Sequence, residues 1–241
     1  MITKNQIKLI RSLRLKKNRI KHNLFVAEGE KIVDELLESK FNLSYLFSTE
    51  NKYNSIKNHV SLKNQELKQI SSLKTPNKVL AVFEIPQENH IDYSQNIIAL
   101  EEINDPGNLG TIIRLCDWFG IKDIICSENS VDCFNPKTIQ ASMGSICRVN
   151  ISYVSFKNLI SNQKNNLIAA DMKGKNINNF PFKSNQIILF GSESNGFSDD
   201  LSNQIEDKIT IPRYNQNIDS LNLASSVAIV LSELKNKITE K

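Results

Sequence analysis

The chain has 241 residues, 40% of them hydrophobic and 23% charged, with a formal net charge of +4. That is enough chain for one large or two modest domains with a real core, at an ordinary composition for a soluble globular protein. No apolar run approaches the roughly 20 residues of a membrane-spanning helix, and the start MITKNQIKLIRSL lacks the continuous apolar core of a secretory signal, so a cytoplasmic protein with no membrane partner is expected.

Residues 1–21 hold Lys4, Lys8, Arg11, Arg14, Lys16, Lys17, Arg19 and Lys21 and no acid. With eight of the 30 basic residues there, the remaining chain carries 22 bases against 26 acids. A basic segment on a mildly acidic body suits either a polyanion or a solvated helix face. Within it, Ile7, Leu9, Ile10 and Leu13 have near-helical spacing and predict a helix over 4–15. LFVAEG (24–29) reads as a strand, GEKIVDELLES (29–39) as a helix, LSYLFST (43–49) as a strand, NQELKQISSL (64–73) as a helix and KVLAVFEI (78–85) as a strand. Together they form a small α/β unit over 1–86. PQENHIDYSQN is polar and aperiodic, and 87–96 is the expected linker. From 97 to 241 the alternation becomes regular. Strands are expected at 97–103, 122–126, 149–154, 167–171, 186–190 and 208–211, with helices at 110–119, 136–145, 156–162, 198–204 and 221–236. Apolar strands alternating with helices imply a mostly parallel sheet covered on both faces. Ligands of such sheets sit at the carboxyl ends of the strands.

Three strand ends carry unusual residues. NDPGNLGTIIR (104–114) follows the first strand. Pro106-Gly107 predicts a tight turn, and Leu109, Ile112, Ile113 and Cys116 make a buried stripe that leaves Arg114 aside. Asn108 suits a cap or turn, and Arg114 a surface position or a contact. IILFGSESNG (187–196) runs from a buried strand through Gly191 to Glu193. IPRY (211–214) is followed by DSLNLASSVA (219–228), where Ser220 suits an N-cap and Asn222 stands early in a helix. No GxGxxG or GxxxxGK[ST] is present, so phosphate-binding loops of the usual kinds are missing. His22, His59 and His90 all precede the first of these motifs, which argues against triad or histidine–metal chemistry beyond it. Cys116, Cys126, Cys133 and Cys147 form no CxxC pair and have no neighbouring histidine, so buried or half-buried thiols are expected and no metal.

In order and residue type, GNLGTIIR, GSESNG and IPRY…DSLNLASSVAI resemble the three motifs of the SpoU family of RNA ribose 2′-O-methyltransferases, in the SPOUT superfamily. The similarity spans about 97–236, and LFVAEGEKIVDELL resembles the substrate-binding unit often joined to that family. The resemblance implies S-adenosylmethionine as cofactor, bound in a C-terminal deep trefoil knot largely by main chain at Leu189, Gly191, Ile211, Ser220 and Leu221. It implies catalytic roles for Asn108, Arg114, Glu193, Ser220 and Asn222, with Gly191 bare so that the ligand can approach. It also implies a homodimer in which Arg114 comes close to the partner subunit's cofactor, and RNA as substrate. Ribosomal RNA is favoured; transfer RNA methylation or a non-catalytic RNA-binding protein of the same fold are the alternatives, and a nucleotide-dependent small-molecule enzyme is disfavoured by the missing phosphate loop. The family assigns the arginine as general base. A guanidinium stays protonated at working pH, so binding phosphate and orienting the ribose oxygen is the physically easier role. The second motif often reads Gly-x-Glu-Gly-x-Gly. Ser194 stands at its fourth position, and a positive φ there would strain it by about 1 kcal/mol.

Overall fold

A computed structural model describes residues 1–241 apart from 88, 164–165, 193–195, 198, 216 and 240–241. The chain divides into two compact units, Met1–Gln87 with Asp132–Cys147, and Glu88–Val131 with Arg148–Lys241. Segment 132–147, counted with the C-terminal domain on sequence, thus packs in the first unit. No helix of the described residues is long and apolar enough to cross a membrane.

In the first unit, α1 (Lys4–Ser12) opens with a capping box between Thr3 and Gln6, which satisfies amides the first turn leaves unpaired. A second helix, α2 (Lys16–His22), has no apolar stripe to announce it: its buried residue is Arg19, while Ile20 is exposed. Strands β1 (Leu24–Glu28), β2 (Leu43–Ser48), β3 (His59–Ser61) and β4 (Val79–Glu84) form a sheet in the order β1-β4-β2-β3. The β1–β4 and β2–β4 pairings are antiparallel, and β2–β3 is parallel. The short strand β3 is too polar to be read from sequence.

Alternation sends Val26, Phe47, Leu80 and Val82 to one face, where they meet Ile10 and Leu13 near α1 and Leu67 and Ile70 of α4 (Asn64–Ile70). Phe25 faces the other way and packs against Phe83, Phe41 and Phe134, the last at 4.8 Å between ring centroids. That second face receives α3 (Glu30–Leu37) and the helix Pro136–Ser142.

The basic segment is spent unevenly. Arg11 Nε donates to the Gln69 carbonyl at 2.7 Å and Arg14 Nη2 to the Ser71 carbonyl at 2.7 Å. Both oxygens lie at the end of α4, where helical carbonyls lack partners. Arg19 forks onto Asp132 and reaches the Leu13 and Arg14 carbonyls. Three of the eight cations therefore hold the fold. The polyanion expectation narrows to Lys4, Lys8, Lys16, Lys17 and Lys21, all exposed.

The second unit is built on β5 (Ile97–Leu100), β6 (Asp123–Ser127), β7 (Asn150–Val154), β8 (Leu167–Asn176), β9 (Ile187–Phe190) and β10 (Asp207–Thr210). Their order is β10-β8-β9-β5-β6-β7, and every pairing is parallel. All four residues of β5 and all four of β9 are buried, which requires cover on both faces. Ile97, Ala99, Ile187 and Leu189 share a cluster with Phe156, Leu159 and Ile160 of α7 (Phe156–Asn162). The helices α5 (Pro106–Trp118) and α9 (Leu223–Thr239) pack against each other.

β8 runs five residues beyond the strand expected at 167–171. Its polar tail, MKGKN, pairs Lys175 with Ile209 after a register shift. A Cβ on Gly174 would lie 2.5 Å from the main chain of Ile209, so only glycine lets these strands meet there. As expected, Cys116, Cys126 and Cys133 are buried and Cys147 is half-buried.

Candidate active site

The Asp105-Pro106 pair starts α5 earlier than the helix expected at 110–119. Asp105 is the N-cap, its carboxylate accepting from the Asn108 amide at 2.8 Å, and Pro106 stands in the first turn. Pro106-Gly107 is therefore not a separate tight turn but the first turn itself. Proline fits there because the amide it lacks has no helical acceptor anyway. Gly107 leaves room for the cap, since a Cβ would lie 2.9 Å from the Asp105 Oδ1. The consequence is that Asn108 sits rigidly at the third helical position, at the carboxyl end of β5.

The start of α9 is corrected in the same way. The cap is Asn222 and not Ser220: Asn222 Oδ1 accepts from the Ser225 amide at 3.2 Å, and its carbonyl accepts from the Ser226 amide at 3.0 Å. The same side chain then donates through Nδ2 to Asn108 Oδ1 at 3.0 Å. Two residues 114 positions apart are thereby locked together, each on a helix N-terminus, where the partial positive charge of the helix favours anionic or electron-rich groups.

Arg114 is exposed and takes part in no ion pair among the described residues. It lies six residues beyond Asn108 on α5, roughly 9 Å along the axis and about 120° around it. Leu109, Ile112, Ile113 and Cys116 are fully buried, as expected. Burial pushes the Cys116 thiol far above its ordinary range, which makes it a packing group and not a nucleophile.

Of the expected cofactor residues, Leu189 is buried in the centre of β9, in register with Ala99 and Ala169. Gly191 follows the strand, half-buried. A Cβ there would lie 2.4 Å from the Gly196 carbonyl carbon. Its bareness is thus required by the chain's own main chain, which folds back through paired Ser192–Gly196 hydrogen bonds at 3.0 Å, and not first by a ligand. Glu193 and Ser194 lie outside the described residues. Ile211 is half-buried at the end of β10, and Ser220 and Leu221 are exposed on the segment before α9. That segment is irregular, braced by Arg213 Nη1 donating to the Ile218 carbonyl at 3.2 Å. It offers open main chain and the exposed side chains of Ile218 and Leu221.

One acidic pair was missed on sequence. Glu101 and Glu102 directly follow the last residue of β5. The Glu101 amide donates to the Phe190 carbonyl at 2.9 Å, which sets the residue beside Gly191. Its Oε2 is buried and is the one such side-chain atom without a hydrogen-bond partner among the described residues. Burial, and secondarily the charge of Glu102, push its carboxyl above the ordinary range. Glu102 has φ +47° and gives its amide to Ser127 Oγ at 2.8 Å. Positive φ is costly for a side chain of this kind and concentrates at functional sites. The signal in the sequence was IIALEE itself, an apolar central strand ending on two acids.

Open main chain, the exposed side chains of Ile218 and Leu221 and the buried Glu101 oxygen thus lie beyond strand ends, where ligands of parallel sheets bind. The motif order and this geometry agree with the comparisons. A sequence profile described as the SpoU rRNA Methylase family matches residues 95–232, and one described as the MRM3-like substrate binding domain matches residues 4–81.

The chain belongs to the SpoU rRNA methylase family. It is 26% identical over 242 residues to the 23S rRNA (guanosine(2553)-2′-O)-methyltransferase RlmP of Bacillus subtilis, covering 96% of this chain and 97% of that protein. Among solved structures, a TrmH-family RNA methyltransferase from Porphyromonas gingivalis superposes with a TM-score of 0.90 at 32% identity, over 98% of this chain and 99% of that one. An AdoMet-bound rRNA methyltransferase from Sinorhizobium meliloti superposes with a TM-score of 0.87 at 27% identity, over 98% and 96%. As a SpoU enzyme the chain is a methyltransferase that uses S-adenosylmethionine.

Proposed function

We propose that this SpoU enzyme methylates a ribose 2′-hydroxyl of ribosomal RNA in the cytoplasm, as a homodimer whose C-terminal sheet is knotted. The observation that carries the reading is the Asn108–Asn222 hydrogen bond, which fuses the first and third motifs into one polar platform at the helix N-termini. The donor supplies an activated methyl on a cationic sulfur. The chain's own task is then to align the ribose oxygen, assist loss of its proton and exclude water. The amide pair is placed to hold the ribose without titrating. Ser220, exposed nearby in sequence, adds a hydroxyl, and Arg114 binds the adjoining phosphate.

Helical geometry supports the dimer. Arg114 points about 120° away from Asn108 around α5, so it serves a partner subunit's platform more readily than its own. Trp118 on α5 and Ile229 on α9 are exposed apolar residues on the two packed helices, Trp118 at 84%, and a second copy would cover them. A knot is supported by strand order and by close passage of main chain. β9 lies between β5 and β8 while β10 returns to β8, and Gly174 and Gly191 both abut main chain. The relatives' names favour ribosomal over transfer RNA, and the exposed lysines of α1 and α2 suit a phosphate backbone.

A ribose-methylation map of total RNA, with and without the protein, tests this. The expected result is one ribosomal position that loses its 2′-O-methyl and regains it on complementation. A change confined to transfer RNA, or no change, overturns the substrate assignment.

A further inference from the structure

Glu101 has no role in the chemistry above, yet three independent features mark it. It directly follows the central strand β5, beside Gly191 and the fold-back of Ser192 and Gly196. It keeps a buried oxygen without a partner. The next residue, Glu102, is held in a left-handed conformation by Ser127, which in turn meets Ser130 at 3.0 Å. A chain that only needed to turn here would place glycine at 102 and a neutral residue at 101. A carboxylate oxygen buried without a donor costs stability until a cation or donor arrives.

Resting on the proposed methyl-transfer reading, we propose that Glu101 is a charge-selecting residue: its half-buried carboxylate acts on the positive sulfur of the methyl donor and makes the site prefer the cationic donor to the neutral thioether product. S-adenosylmethionine and S-adenosylhomocysteine share adenine, ribose, ammonium and carboxylate. They differ by the methyl group and the sulfonium charge that leaves with it. A fixed negative charge in a partly desolvated site acts strongly on that difference. After transfer the attraction disappears, which weakens product retention.

Glu101→Gln keeps the shape and an acceptor oxygen while removing the charge. Calorimetric titration of the wild type and the variant with each ligand is the test. The variant is expected to bind S-adenosylmethionine about five- to tenfold more weakly, with S-adenosylhomocysteine unchanged within about twofold. Without ligand, the variant is expected to melt at or above the wild-type temperature, because a half-buried charge with an unpartnered oxygen is removed. Equal weakening for both ligands would mean that Glu101 meets a group they share. Unchanged affinity for both, or a lower melting temperature for the free variant, also overturns the proposal. Failure of the wild type to bind either ligand would instead remove the methyl-transfer reading on which it rests.

Discussion

Replacing Arg114 by alanine is expected to lower methyl transfer to RNA by at least about 100-fold, the scale of losing one group that stabilises developing charge, while affinity for S-adenosylmethionine stays within about twofold. The expectation follows from where the residue stands. Arg114 lies off the stripe of Leu109, Ile112, Ile113 and Cys116 that buries α5, and its side chain is exposed. Its removal therefore takes nothing from the core. It also projects about 120° around α5 from Asn108, so the loss is expected to fall on RNA and not on the donor. Arg114→Lys keeps the charge but not the planar fork, and partial rescue at best is expected. Mixing Arg114→Ala subunits with subunits carrying Asn108→Ala separates same-chain from cross-subunit action: mixed dimers recover activity only if the arginine serves the partner's site. Measured single-turnover rates and donor titrations decide the matter. Parallel loss of donor binding and transfer would make Arg114 a structural residue.

The second large effect falls on stability. Arg19 is 2% exposed and Asp132 14%, with Nη2 to Oδ2 at 2.6 Å. Every nitrogen of the guanidinium donates: Nε and Nη2 to Asp132, and Nη1 to the Leu13 and Arg14 carbonyls. Arg19→Met leaves the carboxylate and two carbonyls short of donors in a desolvated place. Breaking a buried pair on one side costs about 3–5 kcal/mol, which for a chain of this size lowers the melting temperature by roughly 6–20 °C. Arg19→Lys cannot reproduce the fork and is expected to fall close to methionine. The double variant Arg19→Met with Asp132→Leu should be more stable than Arg19→Met alone, because no orphaned charge remains. Thermal melts of the four proteins test this. A loss under about 1 kcal/mol for Arg19→Met would assign the pair to the weak class of surface bridges.

Much of this architecture could be read from residues, for a physical reason. Fully buried strands such as IIAL and IILF are continuous apolar runs, and α5 and α9 carry apolar stripes. Where burial uses polar groups, the pattern vanished. The helix at 16–22 buries an arginine. The end of β8 is polar because it pairs at the sheet's edge with β10, and β3 is three residues long. The assignment of 132–147 to the first unit rests on Asp132, Phe134 and Arg19, contacts more than a hundred residues apart, and no local pattern encodes them. At the site, motif order drew attention to Asn108 and Arg114, which stand on α5, and to Asn222, which caps α9, although both helix starts were misplaced. The bond between the two asparagines depends on tertiary closure, and the cap could be misassigned to Ser220 because serine is as good a cap as asparagine. Glu101 escaped because an acid at a strand end usually points to water.

Hydrogen–deuterium exchange with and without S-adenosylmethionine tests most directly whether the ends of separate strands converge on one donor. Slower exchange is expected in three stretches at once, 101–108, 190–197 and 211–225, with the rest of the chain little changed. Protection confined to one of these stretches, or appearing in residues 1–86, would contradict the account.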